Sequence, residues 1–414
     1  MMEQRKPIPV SEAVRKVVEH AGKLGHERVK LEDSDQRILA EPIVAGHPVP
    51  PFDRSPYDGF AIIAASSAGA SGDNRITYKI VDQIGAGAVS EKKLSGNEAV
   101  RIMTGAPLPE NADAVVMFEQ TVEAEDSFTI RKSFEPLENV SLKGEDVAQG
   151  ETVIESGSSI HPGTVALLAT FGYSTVKVAK QPVVGILSTG TELLDVSEPL
   201  VPGKIRNSNG PMIAAQLKRM GISCKTYGLS ADQLDESFET VKRAAAETDC
   251  LITTGGVSVG DFDFLPAIYE RLGAKVLFNK VAMRPGSVTT VAVADGKFLF
   301  GLSGNPSACF TGFELFVRPA LLKIMGAENL YLPKTRAILS EDFTKANPFT
   351  RFIRAIYDGR NVSPAGFNKS NAVASIAKGN ALIVLPPGTR GFKSGDEVDV
   401  LLIGVEEGSP TWTI

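Results

Sequence analysis

The spacing of apolar residues changes along the chain, and each change predicts a different kind of structure. Residues 11–24 carry apolar side chains at three- and four-residue intervals, which predicts an amphipathic helix with Ser11 as its N-cap. Residues 46–146 show short β-type runs separated by Gly, Pro, Asn and Asp, which predicts a β-rich unit. Residues 151–180 hold a short helix and a strand pattern, and we expect them to pair with residues 25–45.

The second half of the chain alternates apolar β-type runs with amphipathic helical segments. Such alternation is typical of βαβ units and a parallel sheet covered on both faces. The dipeptide Asp295-Gly296 lies between two β-type runs and predicts a hairpin, so one edge of the sheet is expected to be antiparallel. A long helix is predicted from Ser307 to about Met325. From Pro333 the chain is β-rich again, which favours a small terminal barrel or sandwich.

Composition narrows the class of protein. The 414 residues are 43% hydrophobic and 22% charged, as in ordinary globular proteins, and this length predicts about two to four domains. The net charge of −6 offers no global attraction for nucleic acid or an anionic membrane, so we expect neither as a partner.

Cysteine and histidine positions argue against several kinds of site. Cys224, Cys250 and Cys309 lie far apart and match no metal-ligand spacing, which favours buried thiols in a reducing compartment. The four histidines are scattered, so a zinc site or a Ser-His-Asp triad has no support. The N-terminal residues lack the apolar stretch of a signal peptide, and no uncharged apolar run reaches membrane-spanning length. We therefore expect a cytoplasmic protein.

Residues 249–263, DCLITTGGVSVGDFD, contain the strongest local signal for chemistry. The apolar run predicts a buried strand, Gly255 and Gly256 predict a turn, and a helix is expected to follow. A glycine-rich turn between strand and helix lets backbone N–H groups approach an anion, usually a phosphate. Carboxylates beside a phosphate are commonly explained by a shared Mg²⁺. The alternative is that Asp261 or Asp263 caps the helix, which only one of them can do.

Three turns follow strands of the predicted parallel sheet, at the edge where open α/β sheets bind ligands. They are residues 188–192, 254–263 and 301–306. Each turn alone is equally well explained by chain reversal, but three at one edge favour a single binding site. The hydroxyls expected to bind phosphate are those of Ser188, Thr189, Thr191 and Ser258. The carboxylates expected to hold Mg²⁺ are those of Glu192, Asp261 and Asp263. Further ligand contacts are expected from Gly190, Gly255, Gly256, Gly260, Ser303, Asn305 and Pro306.

Arg284 precedes Pro285-Gly286, where the backbone is expected to turn sharply. An arginine fixed by such a turn is a fork-like ligand for phosphate or another oxyanion. A surface arginine at an ordinary turn is the alternative. Asp232 precedes a helix pattern, so helix capping is its structural alternative.

Two loops in the N-terminal half also combine polar and aromatic residues. Residues 50–61, PPFDRSPYDGFA, contain Asp58, and residues 101–109, RIMTGAPLP, contain Thr104. Nothing in the local sequence places either loop beside the α/β domain, so taken alone they are loops.

Taken together and in this order, the motifs resemble the molybdopterin molybdenumtransferase family, of the MoeA and gephyrin E-domain type. The matching segments, within residues 50–306, are PPFDRSPYDGFA, RIMTGAPLP, NVSLKGEDVAQGE, STGTEL, TTGGVSVGDFD, VAMRPGS and GLSGNP. The set is highly specific, although the glycine loop alone is shared with other molybdopterin-binding domains.

The resemblance implies a multidomain fold of α/β plus β class. Its parts are a doubly wound, mostly parallel α/β domain of the molybdopterin-binding type, an inserted β-rich domain, a segmented linker domain and a C-terminal β-barrel. The expected boundaries are residues 1–45 and 147–180 for the linker domain, 46–146 for the inserted domain, 181–328 for the α/β domain and 329–414 for the barrel.

The implied reaction uses molybdate and adenylylated molybdopterin as substrates. The phosphoanhydride is cleaved with Mg²⁺, AMP is released, and molybdenum remains on the dithiolene of the pterin. Glu192, Asp232 and Asp263 correspond to acidic positions around the metal and nucleotide. Asp58 and Thr104 match positions that a second subunit of a homodimer contributes. A molybdopterin adenylyltransferase is a further implied partner.

The chain departs from the family pattern at three places. The family's KPGK turn reads Arg284-Pro285-Gly286-Ser287, which keeps one cation and loses the other. The LPGNP turn has Ser303 in place of its first proline, and Ser141 and Leu142 stand where arginines are common. A molybdopterin-binding scaffold without turnover and a molybdopterin adenylyltransferase are the alternative functions. The retained acidic positions disfavour the first, and the extra β domains disfavour the second.

Overall fold

The computed structural model describes residues 6–230, 234–256 and 265–404. By contacts, the described residues form two compact units. One unit comprises the described residues of Met1–Glu41, Gly157–Val165 and Ser174–Ile414, and the other comprises Pro42–Ser156 and Ala166–Tyr173. No helix among the described residues is long and apolar enough to cross a membrane.

The unit Pro42–Ser156 with Ala166–Tyr173 is built on a mixed β-sheet. In spatial order its strands are Ala114–Met117, Gly59–Ile62, Glu98–Ile102, Ile76–Ile84, Ser127–Ile130 and Thr121–Glu123. A separate antiparallel pair joins Ile43–Val44 to Thr152–Ile154. The core contains a ring stack in which the centroid of Phe128 lies 3.9 Å from that of Phe60 and 5.3 Å from that of Tyr78. This part of the chain is β-rich, as its strand patterns predict.

The larger unit contains the α/β sheet. In spatial order its strands are Cys224–Ser230, Val184–Thr189, Cys250–Thr254, Lys297–Leu302, Thr290–Ala294 and Lys275–Phe278. The neighbours from Cys224–Ser230 through Lys297–Leu302 pair in parallel, and the remaining two strands add antiparallel at one edge. The predicted hairpin is confirmed: Asp295 and Gly296 have φ of 50° and 76°, the left-handed pair that a two-residue hairpin turn requires.

Apolar side chains from both faces of this sheet are buried under helices, which makes the fold doubly wound. On one face, Ile186 and Ile252 share a core with residues of the helix Asn209–Arg219. On the other face, Leu187 and Leu251 share a core with residues of the helix Leu234–Glu247. Successive strand residues alternate between the two cores, as the pleat of a strand dictates.

The remaining helices depart from the sequence pattern at their ends. The structure places helices at Val10–His20, Pro162–Thr170, Leu265–Arg271, Pro306–Gly312, Arg318–Ile324 and Ala374–Lys378. The first begins one residue before Ser11 and ends before Leu24, so the predicted Ser11 cap is wrong and no side chain caps this helix. The predicted long helix is present but contains a π-helical turn at Phe313–Val317.

A closed β-barrel follows the α/β sheet in the chain. Its strands pair around the ring in the order Thr350–Tyr357, Asn361–Pro364, Lys334–Leu339, Glu397–Leu402 and Ala381–Leu385, which returns to Thr350–Tyr357. The short strand Met283–Arg284 of the α/β region adds to the barrel in parallel with Thr350 and Arg351. The strands His26–Lys30 and Thr175–Ala179 pair antiparallel, so the expected pairing of residues 25–45 with residues 151–180 is confirmed.

Candidate active site

The strand ends from which the three predicted turns begin lie side by side. Ser188, Thr254 and Leu302 are successive register partners across adjacent parallel strands, so the residues after them emerge side by side. The N–H of Gly255 donates to the carbonyl of Leu302 at 3.2 Å, and the Thr189 hydroxyl donates to the carbonyl of Thr254 at 3.2 Å. Hydrogen bonds therefore hold the turns against one another.

Gly255 occupies a position that excludes any side chain. Its φ is +85°, and a Cβ there would lie 2.3 Å from the backbone oxygen of Thr189. The next residue, Gly256, has φ of +63°. The glycine pair thus allows two strand ends to approach more closely than residues with a Cβ would permit.

A cavity of about 840 Å³ opens at these strand ends. From the three turns it is lined by Thr189, Glu192, Gly255, Gly256, Ser303, Gly304 and Asn305. From the turn after Val281 it is lined by Arg284, Pro285, Gly286 and Ser287. From the barrel it is lined by Lys345, Arg351, Phe352, Arg354, Asn368, Lys369, Ser370 and Asn371. The cavity therefore lies between the α/β sheet and the barrel, and cations outnumber the single carboxylate, Glu192, among these described lining residues.

Arg354 is the most deeply buried of these cations, with a relative exposure of 2%. Its Nε donates to the Ser375 hydroxyl at 3.2 Å and its Nη2 to the carbonyl of Lys369 at 3.1 Å. Burial lowers the pKa of Arg354 to about 10, which still leaves the guanidinium protonated at neutral pH. No ion pair to Arg354 is formed within residues 6–230, 234–256 and 265–404. A buried cation of this kind favours an anionic ligand, because desolvation is otherwise uncompensated.

The loop that carries Lys369 and Ser370 is tied to the α/β domain. The N–H of Ser307 donates to the carbonyl of Ser370 at 3.0 Å, and the Ser307 hydroxyl donates to the carbonyl of Ala372 at 2.6 Å. Ser307 lies in the first turn of the helix Pro306–Gly312. The barrel side of the cavity is thus positioned by the same helix that follows the turn at Ser303.

Comparisons with known proteins agree along the chain. Residues 8–172 match the MoeA N-terminal region (domain I and II), residues 185–323 match a family described as "probable molybdopterin binding domain", and residues 336–403 match the MoeA C-terminal region (domain IV). The chain is 58% identical over 406 residues to a molybdopterin molybdenumtransferase of Staphylococcus aureus (strain Mu50), and 57% identical over 405 residues to one of Staphylococcus epidermidis (strain ATCC 35984). Each alignment covers 97% of both chains.

The chain belongs to the molybdopterin molybdenumtransferase family. It is a transferase of molybdenum cofactor biosynthesis, of the MoeA type. Its fold agrees with the crystal structure of the molybdopterin biosynthesis moeA protein of Pyrococcus horikoshii OT3, with a TM-score of 0.83 at 30% identity over 96% of this chain and 100% of that chain.

Several residues expected in the molybdenumtransferase site lie off the cavity wall. Ser188 is 2% exposed, and its hydroxyl oxygen accepts from Asn207 Nδ2 at 3.0 Å and from the Thr254 hydroxyl at 3.3 Å. Pro306 forms the start of a helix. Gly190 and Thr191 precede Glu192 in the same turn but do not line the cavity. These residues shape the turns that carry the lining side chains.

Five of the expected site residues lie outside the described residues. They are Asp232, Ser258, Gly260, Asp261 and Asp263. Within the described part of the chain, no group of three or more His, Cys, Asp or Glu side chains is arranged to hold a metal ion. Of the three carboxylates expected to hold Mg²⁺, Glu192 is the one that lies in the described residues.

Asp58 and Thr104 belong to the other compact unit of the molybdenumtransferase. Asp58 Oδ1 accepts from the backbone N–H of Thr104 at 2.7 Å and from its hydroxyl at 2.9 Å. The two loops that carry these residues are therefore neighbours. Both donors hold the pKa of Asp58 below its ordinary value.

The barrel cations are the part of the site that sequence reasoning missed. The strand TRFIRAIY reads as an ordinary apolar strand with two charges. The signal that could have revealed the site is Arg354. It lies among apolar residues at a strand position where an apolar side chain is expected, and a charged residue in such a position often has a ligand or a partner. Asn209 was also missed, because a lone asparagine at a helix start is indistinguishable from a cap.

Proposed function

We propose that the chain transfers molybdenum from molybdate to adenylylated molybdopterin in this cavity, with release of AMP. The observation that carries the proposal is the cavity itself, which joins the glycine turns of a parallel sheet to a set of barrel cations. Molybdate is an oxyanion and adenylylated molybdopterin carries phosphates, so both substrates are bound by N–H donors and cations.

Arg354 and Ser370 are proposed to bind molybdate. Both line the cavity, and they lie on elements joined by the hydrogen bond from Arg354 to Lys369. A guanidinium presents parallel N–H donors to two oxygens of one anion, and a hydroxyl adds a further donor. Because Arg354 is nearly fully buried, its charge is poorly screened and acts strongly on a bound anion.

Mg²⁺ is proposed to bind at Glu192 together with Asp261, Asp263 and phosphate oxygens of the substrate. The carboxylate of Glu192 and the hydroxyls of Thr189 and Ser303 give this part of the cavity wall oxygen donors, the kind that Mg²⁺ prefers. The ion would neutralise the pyrophosphate and polarise the bond that is broken. The chain itself orients the phosphates, through the N–H groups of the glycine turns.

Asn209 supports recognition of a ligand rich in N–H donors, such as a pterin. Its Nδ2 donates to the carbonyl of Gly304 at 2.8 Å, which fixes the amide plane. Its Oδ1 is buried and accepts no hydrogen bond from the described residues. A bound donor would satisfy this oxygen, since buried acceptors are costly when unpaired.

We further propose a homodimer in which Asp58 and Thr104 of one copy complete the site of the other. The two hydrogen bonds that Asp58 accepts from Thr104 fix the position of its carboxylate, which suits a role toward a substrate or its metal. A mixed dimer tests this proposal. Asp58→Ala and Glu192→Gln should each be inactive alone, whereas a one-to-one mixture that exchanges subunits should recover about a quarter of the activity, because half of the dimers then hold one intact site. Failure to recover activity in verified mixed dimers would exclude a shared site.

The four-domain division with boundaries near residues 45, 146, 180 and 328 is part of the same proposal, as is a cytoplasmic location. The three cysteines are all free, with Cys250 and Cys309 buried, which supports a reducing compartment. A molybdopterin adenylyltransferase remains the proposed upstream partner.

One assay separates the leading function from its alternatives. The protein is supplied with adenylylated molybdopterin, molybdate and Mg²⁺, and both AMP release and molybdenum incorporation are followed. Absence of both with active substrate would overturn the proposed transfer. Binding without turnover would indicate a scaffold, and adenylylation of free molybdopterin from ATP would indicate an adenylyltransferase.

Two carboxylate variants sharpen the assay. Asp263→Ala and Glu192→Gln should abolish Mg²⁺-dependent AMP release while the oligomeric state is unchanged. Glu239→Gln, an exposed position on the helix Leu234–Glu247, is the matched control and should retain activity. Full activity in either site variant would remove that residue from the proposed metal role.

A further inference from the structure

Arg284 and Arg351 lie opposite each other on paired strands. The short strand Met283–Arg284 runs parallel to the start of Thr350–Tyr357, with Arg284 and Arg351 as register partners. The N–H of Thr350 donates to the carbonyl of Ala282 at 3.2 Å, which fixes this register. Like charges placed opposite each other on neighbouring strands repel, so the pairing costs stability unless something compensates.

Arg351 is held in place by neutral groups. Its Nε donates to Asn347 Oδ1 at 2.7 Å, and its guanidinium carbon lies 5.1 Å from the ring centroid of Phe343. Asn347 is 1% exposed and donates through Nδ2 to the Thr389 hydroxyl at 3.0 Å, so the acceptor is itself fixed. The guanidinium is thus oriented before any ligand binds.

Neither arginine has a carboxylate partner in the described ranges, where the ion pairs involve other residues. Burial first, and the charge of Arg284 second, hold the pKa of Arg351 below its ordinary value. Both side chains line the cavity. The preoriented guanidinium of Arg351 and the exposed Arg284 opposite it on the paired strand provide the two charges that a doubly charged anion requires.

We propose that Arg284 and Arg351 form a two-arginine clamp for one tetrahedral oxyanion group, with Arg351 supplying the cation that the turn Arg284–Ser287 lacks. The inference rests on the proposed function, since the group is either molybdate or a phosphate of the pterin substrate. Each planar guanidinium can donate two parallel N–H bonds to such a group, and two of them match its double charge. Ser287 in the same turn can add a hydroxyl but no charge.

The test uses the full-length protein and three variants. Arg351→Gln removes the charge, Arg351→Lys keeps it without the fork, and Arg360→Gln is the control at an exposed position of the same barrel. Binding of molybdate, tungstate, sulfate and inorganic phosphate is measured by calorimetry at low and high salt. Michaelis constants for molybdate and for adenylylated molybdopterin are then measured separately.

Arg351→Gln should weaken binding of at least one oxyanion about 10- to 100-fold, with a shallower salt dependence, because a charge-assisted contact is lost. Arg351→Lys should recover part of the affinity, and Arg360→Gln should match the unmodified protein. A raised KM for molybdate alone would assign the clamp to molybdate, and a raised KM for the pterin substrate alone would assign it to a phosphate. Unchanged affinities and Michaelis constants in a folded Arg351→Gln variant would overturn the clamp.

Failure of the clamp and failure of the proposed function give different results. If the unmodified protein binds oxyanions through Arg351 yet incorporates no molybdenum, the clamp is retained and the transfer reaction is wrong. If the unmodified protein incorporates molybdenum and Arg351→Gln does so with the same constants, the reaction is retained and the clamp is wrong.

Discussion

Thr104 donates two hydrogen bonds to one oxygen of Asp58, from its backbone N–H at 2.7 Å and from its hydroxyl at 2.9 Å. The backbone donor has the larger effect on the Asp58 pKa and the hydroxyl the next. Both favour the ionised carboxylate, so Asp58 stays charged at lower pH than an isolated aspartate does. Two residues from separate loops of the sequence therefore act as one group.

Replacing Thr104 with Val should raise the pKa of Asp58 part of the way toward its ordinary value. The substitution removes the hydroxyl but keeps the N–H donor and the side-chain shape. A carboxyl-carbon NMR titration measures the change. Asp82, whose pKa is lowered independently by Ser90 and Gln83, is the internal reference and should not move. An unchanged Asp58 titration would show that the hydroxyl does not contribute.

Gly255→Ala should destabilise the protein more than an alanine at another left-handed glycine. Gly296 is the matched control, with φ of +76° and nothing within 4 Å of its added Cβ. The control should cost about 1 kcal/mol from backbone conformation alone. Gly255→Ala adds a 2.3 Å clash with the Thr189 carbonyl, so its denaturant midpoint should fall further. Equal losses in the two variants would mean that the turn relaxes without cost.

Arg354→Met should cost little stability without ligand but should lose stabilisation by molybdate. The arginine is nearly fully buried and has no ion pair in the described ranges, so relief of its desolvation should offset the loss of its hydrogen bonds to Ser375 and Lys369. Thermal unfolding with and without molybdate measures both effects. Arg336→Met, at an exposed arginine paired with Glu397, should retain the full ligand-induced shift. A retained shift in Arg354→Met would remove this residue from the anion site.

Ionisation of the buried Glu314 should lower the free energy of unfolding as pH rises above 4.5. Burial raises its pKa above the ordinary 4.5, against the lowering effects of the Gln216 hydrogen bond and of Arg318 and Arg219. Above pH 4.5 the folded chain therefore binds more protons at this carboxyl than the unfolded chain does, so the free energy of unfolding falls until the folded-state pKa is passed.

The variant Glu314→Gln removes this dependence. In urea unfolding it should gain stability relative to the unmodified protein as pH rises above 4.5, because the raised pKa of Glu314 makes the unmodified protein lose stability there. Gln216, whose Nε2 lies 2.8 Å from Glu314 Oε1, keeps an acceptor in the variant. A constant stability difference over this range would contradict the raised pKa.

The features that the sequence predicted correctly depend on residues close to one another along the chain. The Asp295-Gly296 hairpin depends on two residues that tolerate positive φ, and the three polar turns depend on strand ends that a parallel sheet brings to one edge. These signals lie within a few residues of one another along the chain. The resemblance to the transferase family added the fold and the activity, which the relatives along nearly the whole chain confirm.

The features that the sequence did not predict depend mainly on contacts between distant parts of the chain. Arg351 reaches the cavity because a strand of the barrel pairs with Met283–Arg284, and no local pattern specifies that partner. The π-helical turn at Phe313–Val317 shifts the hydrogen-bond pattern without a residue type of its own. The predicted Ser11 cap is wrong by two residues, since the helix begins at Val10 and Pro9 occupies its N-cap position.

The two-residue ladder between Met283–Arg284 and Thr350–Arg351 joins two stretches of chain, and each stretch supplies part of the cavity wall. The glycine turns proposed to hold a phosphate lie before residue 307, and most of the cations that line the same cavity lie after residue 344. On the proposed function, mutations in the barrel would therefore change which oxyanion is favoured while the glycine turns keep their sequence. On the proposed function, contacts to the phosphates and the choice of oxyanion would change through substitutions in different stretches of the chain, which gives the barrel a means of adapting the site to the oxyanions its surroundings supply.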